Sequence, residues 1–245
     1  MEIVGIIGGT GLDELELLQD RREQSVVTPY GPPSAPLIHG RIGQRPVIFL
    51  ARHGHEHSVA PHEINYRANL WALREAGVDS IVAVAAVGAI AEPPAAAELC
   101  VPDQLIDYTH GRECTFFQGT GRSVEHVDFT RPYAPPLRAR LLEAAAAADV
   151  PITDGGCYGV TQGPRLETAA EIRRMERDGC TLVGMTGMPE AVLARELAVD
   201  YACCAVAANR AAGKNEGEIS MDEIRRHLST GMDRVAALLV ALIGG

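Results

Sequence analysis

Short apolar runs at residues 3–7, 46–51, 80–87, 182–185 and 202–207 recur along the chain, with helical patterns between several of them. Strands apolar enough to be covered on both faces need helices on either side of their sheet, so this recurrence limits the fold more than any other feature. Residues 63–76 place Ile64, Ala68, Trp71 with Ala72, and Glu75 at three- and four-residue steps. Residues 136–149 are alanine-rich with an apolar face, and 168–177 and 189–198 are further helices. Ser220 and Glu223 have capping-box spacing and open a last helix that runs to residue 242. The expected fold is α/β: a single domain over residues 1–245 with a mixed central β-sheet flanked by helices. The segment around 40–44 adds an antiparallel hairpin, and no repeat or low-complexity linker divides the chain.

Composition removes several function classes. Of 22 basic residues only Lys214 is a lysine, and it lies in Gly213-Lys214-Asn215, outside any Walker-type phosphate loop. A net charge of −10 without a basic stripe argues against a nucleic-acid partner. Hydrophobic residues reach 47%, yet runs such as 81–90 fall short of the ~20 residues that span a bilayer, so no membrane partner is expected. The chain enters a strand-like run at Ile3 without a basic-then-apolar leader, which predicts a cytoplasmic protein with its six cysteines reduced.

The chemistry-bearing motifs follow apolar runs. Gly8-Gly9-Thr10-Gly11 lets backbone amides approach an anion and adds a hydroxyl, although the same residues also make a tight strand-to-helix turn. Arg52 and His53 end the 46–51 run with a planar fork and a switchable donor. His53, His55 and His57 at alternate positions would suit a metal only if the strand continued past Gly54, and an anion site is favoured. Glu167 lies near a helix start, where capping is the ordinary role, and Asn209 could be a turn residue. The inventory of anion donors, one carboxylate, one amide and thioether bulk suits a phosphate beside a neutral polar ring.

These motifs, with Thr28-Pro29-Tyr30-Gly31, Asn65-Tyr66-x-Ala68-Asn69, Thr161-x-Gly163-Pro164-Arg165 and Met185-Thr186-x-Met188-Pro189-Glu190, resemble the trimeric nucleoside phosphorylase family, especially its methylthioadenosine phosphorylase branch. The resemblance covers nearly the whole chain. It implies phosphorolysis of a purine nucleoside in a cytoplasmic homotrimer, with inorganic phosphate as co-substrate and no metal or organic cofactor. It also implies Thr10, Arg52, His53 and Thr186 as phosphate ligands. The Ala85-Ala86 turn matches a phosphate loop, with Ala85 where relatives carry threonine. Met185, Leu166, Glu167, Asn209, Arg210 and Ala211 are the implied substrate contacts, with His126 reaching a neighbouring subunit's site. His53 and Asn209 are the implied catalytic groups.

Departures from that branch sharpen the expectation. Adenosine-type members carry aspartate at the positions of Asn209 and Ala211 and serine at that of Glu167. A carboxylate accepts from the N1–H of a 6-oxopurine and repels the bare N1 of adenine, and the Asn209 amide donates to O6 or N7. Ile219 and Met221 stand where inosine/guanosine enzymes place a histidine against the 5′-hydroxyl, so a 5′-methylthio group is expected. Together these predict phosphorolysis of S-methyl-5′-thioinosine to hypoxanthine and 5-methylthioribose 1-phosphate. The alternatives are an inosine/guanosine or methylthioadenosine phosphorylase, or a catalytically silent purine-binding regulatory protein.

Overall fold

The computed structural model describes residues 2–9, 17–119, 123–215 and 219–244. Its strands are β1 (Val4–Gly8), β2 (Gln19–Gln24), β3 (Leu37–Ile42), β4 (Arg45–Ala51), β5 (Ser80–Ala89), β6 (Leu99–Val101), β7 (Gln104–Asp107), β8 (Ile152–Asp154), β9 (Cys157–Val160), β10 (Leu182–Gly184) and β11 (Asp200–Arg210). The helices are α1 (Tyr66–Glu75), α2 (Pro135–Ala147), α3 (Ala169–Arg177), α4 (Gly187–Glu196) and α5 (Met221–Gly244). All the strands belong to one mixed sheet, as the α/β expectation requires. β1 is buried throughout, and β5 and β11 nearly so, because their residues are small or branched and apolar on both faces. β2 is exposed along its whole length, as the polar sequence Gln-Asp-Arg-Arg-Glu-Gln dictates at a sheet edge.

β5 is the hub. Along one edge it pairs in parallel with β11 for its whole length. On the other edge it pairs first with β1, from Ser80 to Ala83, and later with β10 in the antiparallel sense at Gly88 and Ala89. Among the described residues no strand covers 84–87 on that second edge, so the sheet forks there and leaves main-chain groups to be used otherwise. The expected turn at Ala85-Ala86 is corrected: both residues lie inside the continuous strand β5. The 202–207 run also extends, to Arg210, with a bulge between Ala207 and Asn209. Asn209 is therefore a strand residue re-aimed by an extra residue and not a turn former.

Helix starts have local causes. Asn65 caps α1 by accepting from the Ala68 amide at 3.1 Å, while its amide donates to Tyr30 O at 2.7 Å. Thr168 and Glu171 form a reciprocal capping box on α3, which relieves Glu167 of any capping duty. Among the described residues only α5 is long and apolar enough to cross a bilayer by length and composition. It packs instead on the sheet, burying Gly231, Met232, Val235, Leu238, Leu239 and Ile243. A Cβ at Gly231 would stand 2.3 Å from Val206 Cγ1, so only glycine allows α5 to cross β11 this closely.

Candidate active site

A cavity of about 300 Å³ opens at the fork. Val84–Gly88 form its floor, the segments following β1, β4, β10 and β11 its walls, and the start of α5 one end. Ligand sites in open α/β sheets form outside the carboxyl ends of strands, and four of the sequence motifs converge here for that reason. Thr10, proposed from the glycine loop, lies outside the described residues, as does Gly11; Gly9 lines the cavity.

Arg52 follows β4, with its amide donating to Gly8 O at 2.8 Å. Its guanidinium is 1% exposed and does not face the cavity with its fork. Nε donates to Glu190 Oε1 at 2.7 Å and Nη2 to Glu190 Oε2 at 2.9 Å. Nη1 donates to Val84 O at 2.8 Å, on the uncovered edge of β5, and Nη2 to Ile7 O at 3.5 Å. Tyr201 Oη donates to the same Glu190 carboxylate at 2.8 Å. The expected bidentate grip on an anion is thus corrected, because the fork is occupied by Glu190. Of five guanidinium N–H groups one remains for a ligand. Burial would lower the Arg52 pKa, but the charge and hydrogen bonds of Glu190 reverse that and hold it above its usual value. Strand alternation puts the Ala86 amide on the same edge as Val84 O, and Ala86 is the one exposed residue of β5. Main-chain and arginine N–H groups therefore converge at the fork, and Ala85 contributes only a buried methyl.

His53 donates from Nδ1 to Val59 O at 2.9 Å, since a carbonyl can only accept. The Nε2 edge then carries a lone pair and faces Gly9, where a Cβ would meet the ring at 3.1 Å. Burial first, and the Arg52 charge second, push the His53 pKa down to about 4. His53 is neutral and can accept a hydrogen bond from a hydrogen phosphate without adding positive charge. Its ring stacks on His57, with centroids 4.1 Å apart. β4 ends at Ala51, so the three histidines do not line one strand face, and His55 is exposed. Among the described residues no three His, Cys, Asp or Glu side chains are grouped as metal ligands would be. Thr186 precedes α4, makes no capping bond with its hydroxyl, and lines the cavity.

Glu167 and Asn209 both line the cavity. The Thr161 hydroxyl donates to Glu167 Oε1 at 2.6 Å, leaving Oε2 for a ligand, and one Asn209 amide hydrogen goes to Arg210 O at 2.6 Å, leaving the other. Leu166, Ala211 and Met185 line the same cavity. Gly163 lies at φ +62°, and a Cβ there would meet Met185 Sδ at 2.5 Å, so the Gly-Pro loop closes directly onto this thioether. Arg210 does not line the cavity, which corrects its expected substrate contact. Its guanidinium donates to Ala91 O at 2.8 Å and faces Glu92 at 3.7 Å. His126 is exposed and outside the cavity of its own chain.

Ile219 and Met221 line the cavity, joined by Ile224, Leu228 and Met232 of α5. Sequence reasoning missed those three, though with Met221 they fall at three- and four-residue steps. It also missed Glu190, quoted only as part of a motif, and Arg112. Arg112 donates to Met185 O at 2.8 Å, Met188 O at 2.5 Å, Thr161 O at 3.2 Å and Gln162 O at 2.9 Å, tying two cavity loops together from beneath. No local pattern announces an arginine whose partners are carbonyls and the Tyr66 hydroxyl of distant segments.

Residues 3–244 match the family described as the Phosphorylase superfamily. The chain is 52% identical to a protein of Pseudomonas syringae pv. tomato named "Probable S-methyl-5'-thioinosine phosphorylase", over 99% of each chain. It is 41% identical to the "6-oxopurine nucleoside phosphorylase" of Pyrococcus furiosus, covering 99% of this chain and 92% of that one. The solved structure of methylthioadenosine phosphorylase from Schistosoma mansoni in complex with adenine superposes with a TM-score of 0.95 at 30% identity, covering 100% of this chain and 91% of that one.

Proposed function

The chain belongs to the phosphorylase superfamily, and from that premise we propose that it is a nucleoside phosphorylase that cleaves S-methyl-5′-thioinosine with inorganic phosphate. The observation that carries this reading is the mixed lining of one cavity, in which Glu167 and Asn209 are joined by Ile219, Met221 and the apolar face of α5. A hydrogen phosphate oxygen attacks the anomeric carbon as the bond to N9 breaks, the bonding electrons leave with the base, and the proton that phosphate gives up ends on a ring nitrogen of the base. The products are hypoxanthine and 5-methylthioribose 1-phosphate. Phosphate would sit at the fork, held by the Ala86 amide, the remaining Arg52 N–H and Thr186, with His53 accepting a hydrogen bond from it. Glu167 Oε2 would accept from the purine N1–H, and Asn209 would donate to O6 or N7 as negative charge builds on the ring. This chemistry requires no metal or organic cofactor.

At the 5′ end a hydroxyl would meet Ile219 and Met221 without a partner, at a cost of about 1–3 kcal/mol, whereas a methylthio group fits that surface. We further propose a cytoplasmic homotrimer in which the exposed His126 completes a neighbour's cavity. Phosphate-dependent turnover of methylthioinosine, methylthioadenosine, inosine and guanosine tests the substrate. Methylthioinosine is expected to react fastest, and faster cleavage of methylthioadenosine would overturn the reading. In the variant carrying Glu167→Ser and Asn209→Asp, preference is expected to move toward the adenine nucleoside; an unmoved preference refutes the assigned base contacts.

A further inference from the structure

We infer that Thr161 is a positioning residue for base selection: its hydroxyl aims the Glu167 carboxylate. This rests on the reading of Glu167 as the partner of the purine N1–H. Thr161 follows β9 and is held on its main chain from two sides, its amide donating to Gly184 O at 2.8 Å and its carbonyl accepting from Arg112 at 3.2 Å. From that anchored position the hydroxyl reaches Glu167 Oε1 at 2.6 Å; Gly184 O, at 3.3 Å, is the weaker alternative. Among the described residues no other hydrogen bond reaches this carboxylate. Arg165 is two residues away but spends its guanidinium on Glu171, at 2.7 and 2.9 Å.

Glu167 needs such a tether because it has somewhere else to go. It borders a second cavity of about 580 Å³, lined by Tyr108, His110, Arg165 and Arg174, as well as the nucleoside cavity. Thr161 lines this second cavity too and engages Oε1, which leaves Oε2 for a nucleoside. A carboxylate oxygen accepts from the N1–H of a 6-oxopurine and repels the adenine N1 lone pair. With Oε1 taken by Thr161, Oε2 is the single oxygen presented to the ring. One hydroxyl thus sets the direction of the contact.

The test is steady-state kinetics on methylthioinosine and methylthioadenosine for the full-length Thr161→Val, Thr161→Ser and Glu167→Gln variants, with circular dichroism melting as the fold control. Thr161→Val is isosteric and is expected to raise KM for methylthioinosine about tenfold with a much smaller change in kcat, since the contact is made before and during the reaction alike. The ratio of kcat/KM between the two substrates falls by a similar factor. Thr161→Ser restores both, which a merely structural methyl would not do. Thr161→Ala gives the same readout should the valine variant not fold. If Glu167→Gln collapses the substrate ratio and the Thr161→Val and Thr161→Ala ratios remain those of the wild type, the inference about Thr161 is wrong while the reading of Glu167 stands. If Glu167→Gln also leaves the ratio unmoved, the underlying reading fails with it.

Discussion

Arg52 and Glu190 are the most deeply buried charges near the cavity, 1% and 0% exposed, and hold each other: Glu190 is bound by Arg52 and Tyr201, and Arg52 by Glu190 and two carbonyls, with one N–H left over. Removing one partner of such a pair strands the other charge at low dielectric. Glu190→Gln is therefore expected to lose about 3–5 kcal/mol, read as a lower urea midpoint at unchanged slope. His53 makes a pH prediction. Its pKa is about 4 when folded against an ordinary 6.5, so between those values the unfolded chain binds a proton that the folded chain refuses. Stability is then complete above pH 6.5 and declines as pH falls toward 4, by on the order of 3 kcal/mol from this group. Melting curves across that window should show a shallower decline for His53→Asn; equal slopes would refute the assignment.

The helix α5 supplies apolar lining to the cavity and is positioned by three contacts along its length: His227 Nδ1 donating to Ala208 O at 2.9 Å, Gly231 against Val206, and Arg234 donating to Ala97 O at 2.6 Å. Gly231→Ala adds about 1 kcal/mol of helix propensity but forces a clash on β11 that costs about 1–3 kcal/mol, so a net loss of stability is expected in thermal melts. Because the clash pushes the helix away from the sheet, KM for the methylthio substrate should rise in the same variant. The elements that sequence patterning located, β1, β4, β5, β11 and all the helices, carry their own apolar period. β2, β7 and β9 were not legible because pairing partners, and not their own composition, make them strands: β2 is wholly polar, and β9 is four residues beside β10 and β7. The site was legible where a motif ends a strand, at His53, Glu167, Thr186 and Asn209. It was not legible where side chains from distant segments satisfy one another, as Arg52 does with Glu190 and Arg112 with its carbonyls.

At the scale of the molecule, the acidic chain repels extended polyanions yet needs only local donors for one phosphate. The proposed trimer makes a prediction here: light scattering should give three times the chain mass, and His126→Ala should lower kcat/KM while leaving that mass unchanged. A monomer with full activity would refute the shared site. The fork in the sheet at β5 has a consequence for how such a protein can change over time. Where the anion seat uses a main-chain amide, as at Ala86, that donor survives almost any point mutation, since every residue but proline carries the same N–H. The base and 5′ ends are read by a few side chains, each replaceable alone. Descendants of this scaffold can therefore drift from one nucleoside to another by ordinary substitution while the phosphate-dependent step is inherited intact.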